Sequence, residues 1–359
     1  MKVFVALLLL AAFAAAEFTK EHEQAWIDFK VEHGKMFLSP GKEKKRKEAF
    51  VNNYDRIHEH NKAFERGEAK YKLSITRHAD LTFDSFKKRF TGVMRPEVNE
   101  NTPRVTLRGF PPRTLDLRPN KGNAPIKDQN PCGSCWAFST LAAVEYAYWQ
   151  LNGDTVDLSE QHLVDCAYGR DGCAGGWMSE VMDWMAQVNV ALEGEYPYTR
   201  KFRGCPYDPI RTNSPVQMDA NVYGKAHEYI ADDDEEIKKA LATYGILAVC
   251  VDVQDWNFLE DGFSQILTKR DTYNLKCEHA VNLVGYDIGR DPSGNEVPYW
   301  IVKNQWGTNF GHNGYIYLDG RRDSRGKNRG GLFTDTVIRA RVKRNGGRGK
   351  HPKKHGNHW

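Results

Sequence analysis

The chain has 359 residues, and its 51 Lys and Arg against 47 Asp and Glu leave a formal charge of +4, too small a surplus to favour nucleic acid or any other particular partner. Past the first residues no apolar stretch reaches about 18 residues, so no membrane span is expected. The seven cysteines are an odd number, so at least one thiol lacks a partner within the chain, and in a secreted protein that thiol is the one to suspect of chemistry.

Residues 1–16 begin Met1-Lys2, run apolar from Val3 to Phe13 and end Ala14-Ala15-Ala16 before Glu17, the layout of a secretory signal peptide cut after Ala16. From 17 to about 110 the sequence is charged and free of cysteine. Glu21–Glu32 carries Trp26 and Phe29 at helical spacing, with His33 next in register. The stretch 42–66 repeats the pattern with Phe50, Asn53, Tyr54, Ile57 and Asn61, so a helical hairpin with a buried aromatic stripe is expected. Pro111-Pro112 reads as an exposed, cleavable linker.

Gln129 and the run Cys132-Gly133-Ser134-Cys135-Trp136-Ala137-Phe138 follow. A helix from Ser134 to about Gln150 places Cys135 in its first turn, where unpaired backbone N–H groups and the helix dipole favour a thiolate. A second helix opens at Ser159-Glu160-Gln161 and another spans 232–244 with acids at its start. Beyond Pro215 alternating apolar strands dominate. His279 stands at the start of one such run, to Tyr286, and Asn304 at the end of another, from Tyr299. From Arg339 onward there are eight Lys or Arg, three His and no acid, a composition suited to a solvated, disordered tail.

A Cys-x-x-Cys pair is also the spacing of a thioredoxin-type redox couple or half of a zinc site. No second such pair follows, and no βαβ pattern surrounds this one. The histidines are scattered or lie in the tail, so neither metal nor cofactor is expected.

Together, Cys135, His279 and Asn304 in this order, each in its local context, resemble the papain-like cysteine proteases. The series Arg46, Phe50, Asn53, Ile57, Asn61 narrows the resemblance to cathepsin L-like zymogens, with Lys42 where that motif usually has Glu and Glu43 beside it. In a second propeptide motif, Ser74, Thr76, His78 and Asp80 stand where the family has Gly/Ala, Asn, Phe and Asp. The resemblance implies an α+β, papain-like two-lobed fold, a helical lobe plus a β-barrel lobe, preceded by a mostly helical propeptide. The expected divisions are a signal peptide (1–16), an inhibitory propeptide (17–110), a peptidase domain (111–340) and a basic tail (341–359).

The implied function is a monomeric cysteine endopeptidase of proteins and peptides, inhibited by its own propeptide, secreted or lysosomal. Cys135 would be the nucleophile, His279 the acid and base, Asn304 the group orienting the imidazole, and Trp306 the shield over that bond. The Gln129 side chain and the Cys135 backbone N–H would form the oxyanion hole. Gly175 and Gly176 would pair with substrate backbone. Trp177, Met178, Cys250, Cys277, Ala280 and Asp335 would form the second subsite, whose apolar walls favour Leu, Val or Phe and whose acid would accept Arg. The resemblance suggests bridges Cys132–Cys173 and Cys166–Cys205. The family's usual third bridge lacks its C-terminal cysteine, so Cys250 and Cys277 are expected to pair with each other across neighbouring strands and leave Cys135 free, two separate buried thiols being the alternative. Gln305, where the family usually has Ser, has no evident role.

Two other classes remain at this level. Departures at Lys42, His78, Leu117 (where the family usually has Trp) and Gln305, with the missing third-bridge cysteine, would suit a non-catalytic binding homologue, against which the joint retention of Cys135, His279, Asn304 and Gln129 argues; a free Cys132 would mark a disulfide oxidoreductase. The tail offers contact with polyanions.

Overall fold

In the computed structural model the described residues are 18–97, 102–206, 211–221, 224–269, 271–291 and 293–345. The apolar leader and all of the basic tail after residue 345 lie outside them. Among the described residues no helix is long and apolar enough to cross a membrane.

The N-terminal hairpin pairs α1 (Lys20–Glu32) with α2 (Pro40–Glu65). Thr19 caps α1 by accepting from the His22 N–H, and Pro40 opens α2, where a missing N–H costs nothing. Trp26, Phe29, Phe50, Val51, Tyr54 and Ala79 form its core. The polar residues of the α2 motif bind the strap that returns beneath it. Arg46 meets the Asp80 carboxylate at 3.1 Å, Asn53 Nδ2 donates to the carbonyls of Ala79 (2.7 Å) and Leu81 (2.8 Å), and Asn61 exchanges two bonds with Leu73. Helix α3 (Phe83–Phe90) follows, and then β1 (Arg104–Val105) adds itself to the main sheet beside β3 (His227–Ile230). A strand in this stretch, ahead of Pro111, is not among the expected elements.

The second region begins with β2 (Leu115–Asp116) and continues through α4 (Cys135–Asn152), α5 (Glu160–Cys166) and α6 (Met178–Met185). Gly153, in the left-handed conformation at φ 83°, stops α4, a backbone state that glycine adopts without strain. After β3 come α7 (Asp234–Tyr244), β4 (Leu247–Val251), β5 (Ile266–Leu267), β6 (His279–Arg290), β7 (Glu296–Lys303), β8 (Tyr315–Asp319) and β9 (Leu332–Ala340). The strands run in the order β1-β3-β9-β4-β6-β7-β8-β5, with β2 on β6.

Each lobe has its own apolar cluster, one around α4, α5 and α6 and one inside the sheet. Ile57, Tyr71 and Leu73 of the propeptide complete the second. Across the lobe boundary Ser139 Oγ donates to the Val281 carbonyl (2.8 Å), and Asn282 Nδ2 returns a bond to the Ser139 carbonyl (2.9 Å). These bonds set the start of α4 against the start of β6.

The folded body continues past residue 340, where the peptidase domain was expected to end. Val342 is buried and bridges Met218, Lys343 N–H donates to Gln217, and Asn345 bonds Asn152 and Tyr148. An apolar Val with paired backbone on both sides continues the folded body, so the compact region extends at least to Asn345.

Candidate active site

Cys135 is the first residue of α4, wholly buried, and the only free cysteine, because Cys132–Cys173, Cys166–Cys205 and Cys250–Cys277 are all bridged. The Cys132–Cys173 bond removes the redox partner that an oxidoreductase would need. His279 opens β6, and its Nε2 lies 2.8 Å from Asn304 Oδ1. A carboxamide oxygen only accepts, so Nε2 carries the proton and Nδ1 of the neutral ring is a base. That Nδ1 is buried with no hydrogen-bond partner. The Trp306 ring lies 4.7 Å from the imidazole, centroid to centroid, and covers it.

The segment ahead of Pro111, expected as propeptide, closes this site. Helix α3 sets Phe86 and Phe90 edge-on to Trp306, at 5.4 and 5.8 Å between centroids, and Trp306 Nε1 donates to the Phe90 carbonyl at 2.9 Å. The chain then threads through as Thr91-Gly92-Val93-Met94. Gly176 N–H donates to the Gly92 carbonyl (2.9 Å), and Met94 N–H donates to the Gly176 carbonyl (3.0 Å). Gly92 passes so near Gly133 that a Cβ on it would stand 1.8 Å from the Gly133 oxygen. Lys87 anchors the segment on Glu278, beside His279, at 3.0 Å. The spacing of Phe83, Phe86 and Phe90 ahead of a glycine was the available sequence signal for this plug.

Burial sets the electrostatics. It pushes the Cys135 thiol up to about 12, against the pull of the Ala280, Trp136 and Cys135 backbone N–H groups, and it lowers the His279 imidazole to about 3 despite the Asn304 bond. With water excluded, the covered pair is thiol plus neutral imidazole. Under this cover Cys135 is therefore not the thiolate that its place in the first turn of a helix favours.

Gln129 is buried, and its Nε2 donates to the Cys132 carbonyl at 3.0 Å. Val93 packs on the cluster that holds Met178, Cys250 and Ala280, with Cys277 and Phe333 at its margin. Asp335 is half-exposed and pairs with Arg95 of the propeptide at 2.6 Å. Trp177, expected beside Met178 in the second subsite, belongs to the same cluster. Trp177 is fully buried and its Nε1 donates to Tyr229 Oη at 3.1 Å, because a buried indole N–H seeks an acceptor and finds it in the core. A separate 540 Å³ cavity lined by Lys70, Ile266, Tyr299 and His312 shares no residue with this site.

Known proteins resemble this chain along most of its length. The model of the papain family cysteine protease matches residues 111–334, and that of the cathepsin propeptide inhibitor domain (I29) matches 26–86. A cathepsin L-like peptidase of Aedes aegypti is 33% identical over 344 residues, spanning 89% of this chain and 95% of that one. Cathepsin L of Sarcophaga peregrina is 34% identical over 334 residues, 88% and 94% of the two chains. The structure of digestive procathepsin L2 from Tenebrio molitor larval midgut superposes with a TM-score of 0.71 at 27% identity, over 89% of this chain and 99% of that one.

Proposed function

The chain belongs to the papain family of cysteine proteases, as a cathepsin L-like zymogen with its own inhibitory propeptide, and from that premise we propose that Cys135, His279, Asn304 and Gln129 carry the reaction. The observation that supports this reading best is the free thiol at the head of α4 facing a site whose imidazole is already oriented by Asn304. Once the propeptide leaves, water and the helix N-terminus favour Cys135 as thiolate and His279 as imidazolium. The sulfur attacks the scissile carbonyl. Gln129 Nε2 and the Cys135 N–H receive the oxyanion, and His279 gives its proton to the leaving amine. Water, deprotonated by His279, then hydrolyses the acyl-enzyme.

The Gly176 backbone that now holds Gly92 and Met94 would hold substrate. The site occupied by Val93, walled by Met178, Cys250, Cys277 and Ala280, suits an apolar residue, and Asp335 offers an anion to Arg. The peptidase then spans residues 111–345, and the propeptide spans 17–110. Cleavage between them falls near Arg108, Gly109 and Phe110, all exposed. Entry to the secretory pathway through residues 1–16, action as a monomer, and polyanion contact through the basic tail complete the reading.

The test is peptide hydrolysis at about pH 5 under reducing conditions after processing, comparing wild type with Cys135→Ala on substrates with Leu or Arg in the second subsite. Cleavage by wild type alone is expected, and Asp335→Asn should lower the Arg-to-Leu ratio. Silence from processed wild type would move the chain to the binding homologues.

A further inference from the structure

Gln305 lies directly after Asn304 and is buried. Its Nε2 donates two hydrogen bonds, to Gln129 Oε1 at 3.0 Å and to the Ala280 carbonyl at 2.8 Å. Its backbone carbonyl accepts from the Gln129 N–H at 3.0 Å. One side chain therefore joins the loop before α4 to the residue that follows His279.

The two ends of a carboxamide have opposite polarity, and only the nitrogen end stabilises an oxyanion. A Gln129 amide turned end for end would present Oε1 to the developing negative charge. The Ala280 carbonyl, an acceptor only, requires the NH2 group of Gln305. That NH2 group, a donor only, requires Oε1 of Gln129, which leaves Nε2 on the side of Cys132 and Cys135. A serine hydroxyl at position 305 could donate or accept and would impose no such polarity. We propose that Gln305 is a positioning residue for the reaction, holding the Gln129 amide with its nitrogen toward the oxyanion. This rests on the reading of Gln129 as an oxyanion donor.

The experiment is a double-mutant cycle in the processed enzyme, with kcat and KM on a peptide amide normalised to titrated active sites. Gln129→Ala should lower kcat about 10²-fold, the usual loss for one oxyanion donor. Gln305→Ala should lower kcat about 5- to 10-fold, the scale of one lost hydrogen bond, with KM and the pH profile unchanged. In the Gln129→Ala background Gln305→Ala should cost nothing more. Gln305→Glu presents an acceptor to Gln129, inverts the amide, and should approach the loss of Gln129→Ala.

Equal costs of Gln305→Ala in both backgrounds, or full kcat in Gln305→Ala, would overturn the proposal. So would a loss confined to the fraction of titratable sites, since that reports folding alone. No effect of Gln129→Ala would instead overturn the oxyanion reading itself.

Discussion

Gly92→Ala should unseat the propeptide from the cleft without unfolding either part. The added Cβ would lie 1.8 Å from the Gly133 oxygen and 2.4 Å from its carbonyl carbon, and backbone atoms on both sides leave no flexible side chain to yield. The strap must move outward, stretching the bonds from Gly176 to Gly92 and from Met94 to Gly176. Two such bonds are worth about 1–3 kcal/mol together, and overpacking adds about 1–3 kcal/mol. A total of about 2–6 kcal/mol raises the open population at least about 30-fold. Cys135 is the only free cysteine, so the rate of its labelling by a thiol reagent in intact zymogen at neutral pH reads that population. Gly41→Ala, whose Cβ meets nothing nearer than Ser39 Oγ at 4.0 Å, is the control and should label at the wild-type rate. A Gly92→Ala zymogen as slow as this control would refute the close passage.

His78 should make activation steeper in acid. Burial among Phe86 and Phe90, with Lys35, Arg77, His33 and Arg89 nearby, holds its imidazole down at about 3. The Asp80 carboxylate on the same strap is already taken by Lys35 and Arg46. Because the folded value is depressed, this group's contribution is complete above the ordinary histidine range near 6.5 and is lost as pH falls toward 3, by up to about 1.4 kcal/mol per pH unit. His78→Phe should therefore slow processing about tenfold or more near pH 4.5 and leave neutral latency intact. An unchanged pH profile of the activation half-time would exclude this role. Replacing both Cys250 and Cys277 by Ala should lower stability by about 2–4 kcal/mol, read from denaturant midpoints of the processed enzyme. It should also alter the Leu-to-Phe preference in the second subsite, since the bridge lies beside Val93; an unchanged preference would remove the bridge from the pocket wall.

Much of the site was legible because its signals are local. The first turn at Cys135, the strand start at His279 and the strand end at Asn304 depend on neighbours within a few residues, and the helix opened by Ser159 and that capped by Asp233 follow from the same kind of information. The sequence by itself determined which groups could do the chemistry and that a helical segment precedes them. Only the tertiary structure decided that Cys250 meets Cys277, that Trp177 turns inward to Tyr229, that Arg104–Val105 joins the sheet of the catalytic body, and that Val342 still belongs to it. It also brought the Gln305 amide onto that of Gln129, across a separation of 176 residues. The difference is physical: helix starts and strand periods are set by short-range sterics and capping, whereas the polarity of an amide, the pairing of two thiols and the direction of an indole are set by whichever partner the packed chain brings within hydrogen-bond or bonding distance.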